Sequence, residues 1–300
     1  MVVPSNRPDR LKEFRRAWAP LFLEHEARVF TVLDEAPWPG IPDWVPKRTD
    51  MIRSWGFIQA YREGSEYILS LDDDVAPYWG YDPFFEYRND FDRVYPCSPY
   101  FSTGSLTDTG LEMRGFPYWN RDREVAVQYG GWVGVPDLDA ATQIEHPVDD
   151  AEFLRCSVPV PRGVPTTCCA MNFAFKRDYT ILMWQLPLLN GVFNRFGDIW
   201  SGLIQKRVLD SLGKVMLING GASVSHSRAS DPMVNMVKEE PGLPLNENIW
   251  TALREPVGTD IKDCFVQVTD DMASFFSSRV SSEHARWFTF CRDKWVAEFE

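Results

Sequence analysis

The chain opens on Val2-Val3, a short apolar strand end cut by Pro4, and continues into the polar run Ser5-Asn6-Arg7-Pro8, which reads as a strand-to-helix loop. Leu11, Phe14, Trp18 and Leu21 then recur at three- and four-residue steps, with Arg10, Lys12, Glu13, Arg15 and Arg16 between them. That spacing predicts a surface helix. Ala27–Leu33 is an apolar, β-branched run ending in Asp34-Glu35, and it predicts a second strand. After a loop rich in Pro and Trp, Thr49 or Asp50 can cap a helix whose Ile52, Trp55 and Ile58 share a face. Tyr67–Leu71 predicts a third, buried strand that runs directly into Asp72-Asp73-Asp74. Strand, helix, strand, helix, strand is the rhythm of an α/β fold with a mostly parallel, mixed sheet flanked by helices.

The middle of the chain is richer in loops. Gly115-Phe116-Pro117-Tyr118-Trp119 and Gly130-Gly131-Trp132 interrupt short β-like runs, and Val158–Gly163 is a further break. Thr167–Phe175 predicts another buried strand, and Asp198–Leu209 has helical periodicity through Ile199, Leu203, Ile204 and Val208. Beyond about Pro241 the pattern predicts an irregular stretch and then an amphipathic terminal helix over Ser282–Phe299. The expected organisation is therefore one domain over residues 1–240, with residues 241–300 as a C-terminal extension packed on it. There is no internal repeat and no low-complexity segment.

Composition narrows the functional classes. Of 300 residues, 44% are hydrophobic and 25% charged, which is ordinary for a globular chain and excludes disorder or a coiled coil. Lys and Arg number 31 against 43 Asp and Glu, so the net charge of -12 disfavours non-specific phosphate binding, and nucleic acid as a partner is unlikely without a local basic patch such as Arg7–Arg16. No apolar run approaches the ~20 residues that cross a bilayer, and the first residues lack a signal peptide's order of basic then apolar segments. A cytoplasmic protein without a membrane partner is expected. The six cysteines have neither the spacing of a disulfide framework nor that of a paired zinc site, so reduced thiols are expected, with Cys168 and Cys169 as small buried hydrophobes.

The triple aspartate is the sharpest chemical feature, because three adjacent carboxylates repel one another unless a cation or hydrogen-bond donors compensate. In an extended segment alternate side chains share one side, so Asp72 and Asp74 can converge on one metal while Asp73 points elsewhere. A solvated acidic turn is the other reading. Hard oxygen ligands suit Mn²⁺ or Mg²⁺, and a diphosphate is the natural ligand to complete such a coordination shell. There is no GxxxxGK[ST] loop, and no GxGxxG follows a strand. A DxD-type carboxylate set on an α/β sheet without those loops is the arrangement of nucleotide-sugar enzymes of the GT-A type. By the same topology, Arg7 in the first loop and Asp34 after the second strand stand where such proteins hold phosphate, base or ribose.

Five segments, in this order, carry a more specific resemblance: Leu71–Asp74, Gly131–Ala140 (GWVGVPDLDA), Ala170–Phe175 (AMNFAF), Asp198–Gly202 (DIWSG) and His226–Pro232 (HSRASDP). Together they resemble the reversibly glycosylated polypeptides, the UDP-arabinopyranose mutase family. The resemblance implies a GT-A-like domain that binds a UDP-sugar with a divalent metal, usually Mn²⁺, and that interconverts the pyranose and furanose forms of UDP-arabinose. It implies Asp72, Asp74 and His226 as metal ligands, with Asp73, Asn172 and Trp200 among the substrate-binding residues. It also implies an arginine that becomes reversibly glycosylated just after a Gly-aromatic-Pro-aromatic stretch. Counting from Gly115-Phe116-Pro117-Tyr118 gives Arg121, with Arg123 as the substitute because the following loop is one residue shorter than the family pattern. Asp198 matches an acidic family position, although Gly197 stands where a second acid is expected; it can contact the sugar, serve as a base, or cap its helix. Homo-oligomers are a further implication.

Two enzymatic readings follow. In the first, the chain is a UDP-sugar mutase, with possible self-glycosylation at Arg121. In the second, the same donor site is that of a glycosyltransferase serving a separate acceptor: a small molecule, a glycan, a protein or a modified DNA base. A non-catalytic nucleotide-sugar binder would be expected to have a broken DDD motif, which this chain does not.

Overall fold

The computed structural model describes residues 1–5, 7–32, 41–46, 49–107, 109, 111–118, 123–166, 169–187, 195–227 and 230–300. The first part follows the expected order: β1 (Val2–Pro4), α1 (Pro8–Glu24), β2 (Phe30–Val32), α2 (Met51–Arg62) and β3 (Tyr67–Leu71). A two-residue strand β4 (Val75–Ala76), α3 (Pro83–Phe91) and β5 (Val94–Tyr95) lead to the long β6 (Arg123–Gly134). Then come α4 (Ala140–Glu145), β7 (Ala151–Glu152), β8 (Ser157–Pro159), β9 (Asn172–Lys176), α5 (Gly197–Ser211) and β10 (Val215–His226). Four helices close the chain: α6 (Pro232–Glu239), α7 (Leu243–Ala252), α8 (Ile261–Arg279) and α9 (Ser282–Ala297).

The sheet is mixed, with the order β2-β1-β3-β9-β6-β10-β4. β1 runs parallel to β2 and β3, and β6 runs parallel to β10. β9 lies antiparallel between β3 and β6. The carboxyl ends of β1, β3, β6 and β10 therefore point the same way, and this end of the sheet carries the site.

Alternation along the strands divides the core into two layers. Phe173 and Phe175 face the layer of α2, α5, α8 and α9, where Phe57 meets them edge to face at 5.7 and 5.1 Å. Ala174, Val3 and Leu71 face the other layer, with Phe14 and Trp18 of α1 and Tyr87 of α3. This is an α/β/α arrangement of the expected GT-A-like kind.

Beyond residue 240 the structure departs from the expected irregular stretch. α7 and α8 are regular helices, and Phe265, Phe276, Phe288 and Trp295 join the same buried cluster as Trp184 and Trp200. The Trp295 indole N–H donates to the Ile181 carbonyl at 2.8 Å. Among the described residues, no helix is long and apolar enough to cross a membrane.

Candidate active site

β3 ends where the Asp72 N–H donates to the Met171 carbonyl at 3.0 Å, which brings the acidic turn beside the start of β9. The three aspartates then take separate paths. Asp72 turns into a cleft and forms an ion pair with Arg53 of α2, a residue only 4% exposed whose guanidinium also donates to Ser70 Oγ. Asp73 is buried under the first loop, accepting from Ser5 Oγ at 2.5 Å and from the Arg7 guanidinium at 2.7 Å. Asp73 thus positions Arg7, whose own Nε is buried without a partner. Asp74 faces α1, 3.5 Å from Arg10.

β4 follows at once and pairs with the end of β10, so that His226 lies opposite Val75. His226 is joined to the segment after β6 by two bonds: Val135 N–H donates to the His226 carbonyl at 2.8 Å, and the ring Nδ1 lies 2.7 Å from the Val135 carbonyl oxygen. The fold therefore brings the DDD and HSRASDP segments side by side. Their carboxylate and imidazole donors are of the type that suits Mn²⁺ or Mg²⁺. As the side chains stand, however, the ligand atoms of Asp72, Asp74 and His226 are not all within 4.8 Å of one another.

The cleft has a volume of about 700 Å³ and lies between the sheet's carboxyl end and α5–α7. Asp72, Asp137, Ala170 and Asp198 line it, one from each of four sequence segments singled out above, while His226 buttresses the segment that carries Asp137. Asp198, in the first turn of α5, accepts from Ala170 N–H at 3.0 Å and from its neighbour Ile199 N–H at 2.9 Å. Burial, then the charges of Asp50 and Asp137, push its carboxyl up to about 7; the Ala170 hydrogen bond and Arg53 oppose the rise. Burial also raises Asp50, opposed by Arg53 and assisted by Asp72. Cys169, on the cleft wall, has its thiol pushed well up by burial and by Asp137, Asp198 and Asp72, which makes it a poor nucleophile.

Two substrate-binding candidates lie behind the cleft rather than on it. Asn172 is buried at the crossing of β9, β6 and β10: Tyr87 Oη donates to its Oδ1 at 2.8 Å, and its Nδ2 donates to the Gly131 and Ala222 carbonyls at 3.0 and 2.7 Å. Trp200 is fully buried, stacks on Phe196 at 5.1 Å and donates to Asn246 Oδ1 at 3.0 Å. Phe196 and Asn246 line the cleft, so Trp200 supports its wall from within. Asp34 and Arg121 lie outside the described residues.

Arg123 opens β6 at the end of the sheet opposite the cleft. There β6 pairs with β5, and Arg123 lies opposite Tyr95. Glu124, beside it, is engaged by Lys176 at 3.1 Å and Lys214 at 2.7 Å. Burial raises its carboxyl, but those lysines more than offset this and hold it below the usual range, so Glu124 is a weak proton acceptor.

Arg53, Arg195 and Glu239 were not expected at the site, and Asp50 and Asp137 appear in the sequence only as a helix-cap candidate and as part of the Gly131–Ala140 segment. Arg53 had no signal of its own, since its role comes from Asp72, 19 residues further on. Arg195 and Glu239 had none. They meet across 44 residues, with Arg195 Nε 3.4 Å from Glu239 Oε1, while Glu239 Oε2 accepts the Ala140 N–H at 2.8 Å.

An α/β sheet with a carboxylate-lined cleft beyond its strand ends, and with a DDD turn on the rim, defines a GT-A-like protein. The profile of the family described as "Reversibly glycosylated polypeptide" matches residues 47–296, and the chain belongs to that family. It is 27% identical over 242 residues to the potato (Solanum tuberosum) protein named "Probable UDP-arabinopyranose mutase 1", a match covering 75% of this chain and 65% of that one. The Arabidopsis thaliana "UDP-arabinopyranose mutase 2" is 27% identical over 243 residues, covering 75% and 66%. The maize (Zea mays) "Probable UDP-arabinopyranose mutase 1" is 30% identical over 210 residues, covering 66% and 56%. The chain thus spans somewhat under two thirds of the length of these relatives.

Proposed function

We propose that this chain is a nucleotide-sugar enzyme that acts on a UDP-sugar and interconverts its pyranose and furanose rings, as the names of its relatives describe for UDP-arabinopyranose. The observation that carries this reading is the meeting of the motif segments in one cleft: Asp72, Asp137, Ala170 and Asp198 come from separate stretches of sequence, yet all line it.

In this reading the anomeric C1–O bond breaks and UDP leaves with the bonding electrons. The 4-hydroxyl then bonds to C1 and gives up its proton, the original C1–O5 ring bond breaks as O5 takes a proton, and the sugar is recaptured at C1 by the same phosphate oxygen. Ring reclosure moves a proton from one hydroxyl to another, and Asp198, titrating near neutrality, is the group suited to take it and return it. Arg53 forms an ion pair with Asp72 at the cleft. Asp73 holds Arg7 at the first loop. A divalent ion, Mn²⁺ or Mg²⁺, held by Asp72, Asp74 and His226, would supply charge neutralisation for the diphosphate.

Transfer to a separate acceptor is favoured by one observation. Arg123, the substitute position for the sugar-carrying arginine, enters the sheet at the end away from Asp72.

Incubation with UDP-arabinopyranose and Mn²⁺, followed by proton NMR and intact-protein mass spectrometry, separates the readings. The mutase reading expects UDP-arabinofuranose in the absence of any acceptor, and at least a tenfold loss of rate when EDTA replaces Mn²⁺. UDP-sugar consumed only when an acceptor is added would establish transfer instead. Full activity in EDTA would remove the metal.

A further inference from the structure

The cleft presents an electrostatic problem to the ligand proposed for it. Seven carboxylic acids line it, those of Asp50, Asp72, Asp137, Asp139, Asp198, Glu239 and Glu247, against two guanidiniums, Arg53 and Arg195. Even with Asp198 and Asp50 holding protons more readily than usual, an incoming diphosphate meets net negative charge. Arg53 does not answer this need, because it is almost wholly buried and its terminal nitrogens are engaged by Ser70 and Asp72.

Arg195 is differently placed. Its side chain is 38% exposed at the cleft wall, and its Nε lies 3.4 Å from Glu239 Oε1. Glu239 is itself only 5% exposed and is fixed by its second oxygen to the amino-terminal N–H of α4, so it anchors the inner edge of the guanidinium. A guanidinium held by Nε still presents the fork of its terminal nitrogens, a geometry that matches two phosphate oxygens.

Resting on the nucleotide-sugar reading, we infer that Arg195 is the residue that binds the diphosphate of the substrate, with Glu239 as its positioning residue. Arg195 recognises the phosphate part of the ligand and contributes nothing to recognition of the base.

The test compares UDP with uridine, each titrated calorimetrically into the full chain at fixed Mn²⁺, for wild type, Arg195→Gln and Arg195→Lys, with thermal melts to confirm folding. Loss of a charge-assisted contact weakens binding by about ten- to a hundredfold. Arg195→Gln is expected to lose that much for UDP and less than about twofold for uridine, and Arg195→Lys to recover part of the loss. A folded Arg195→Gln protein that binds UDP normally, or that loses UDP and uridine equally, overturns the assignment. If wild-type protein binds neither ligand, the nucleotide reading falls and takes this inference with it.

Discussion

Asp198 shows how one residue's surroundings set its chemistry. It sits half-buried at the start of α5 among other acids, and burial first, then Asp50 and Asp137, raises its carboxyl from 3.8 to about 7. Its ionised fraction therefore falls about tenfold per pH unit below 7. If Asp198 acts as a base, the rate of ring interconversion should fall along the same limb, and Asp198→Asn should lose the limb together with about 10²- to 10⁴-fold of the rate while still binding UDP. A rate measured from pH 5 to 8 on both proteins checks this. Stability follows from the same shift. A carboxyl with a raised folded-state pKa contributes most below the unfolded value near 4, and that contribution is lost as pH rises through 7. The melting temperature of Asp198→Asn relative to wild type should accordingly rise between pH 4 and pH 8. At this scale the presence of Asp198 and Asp72 in one cleft was legible, Asp198 from its motif and Asp72 from its place at a strand end. Arg53 and Glu239 were not, because each acquires its role from a partner distant in sequence.

The elements show where periodicity sufficed and where it did not. α1, α2 and β3 were legible because each buries one face or one short run. β6 is a single twelve-residue strand although Gly130-Gly131-Trp132 reads as an interruption, and the equally long β10 carries Gly220-Gly221. In the fold those glycines permit close approach. A Cβ on Gly130 would lie 2.2 Å from both Asn172 Nδ2 and Tyr87 Oη. Gly130→Ala must therefore disturb the bonds that join α3, β9 and β6, and a loss of about 1–3 kcal/mol in urea denaturation is expected. A variant as stable as wild type would show that this crossing is looser than described. α8 is a different case. Its Phe265, Val268, Met272, Phe275 and Phe276 recur at helical steps, so the signal for a helix was present in the region expected to be irregular. Asn172, expected as a substrate contact, holds that strand crossing together through three hydrogen bonds.

On the scale of the whole molecule, the sheet gathers the sequence motifs at one end, and the C-terminal helices complete the same core while α6 and α7 close the cleft's outer wall. The order of the five motifs made the class of fold legible. Their meeting point was not, because it depends on β9 running antiparallel between β3 and β6, and on β4 turning back to pair with β10. A second cavity, of about 350 Å³, lies at the opposite end of the sheet, lined by Tyr67, Tyr87 and Arg88 among others. On the proposed function, nucleotide-sugar chemistry belongs to the cleft and not to that cavity. A crystal structure of the full chain grown with UDP and Mn²⁺ tests it most directly. The diphosphate is expected in the cleft between Asp72 and Arg195; UDP bound instead beside Tyr67 and Arg88, with the cleft empty, would contradict the proposed function.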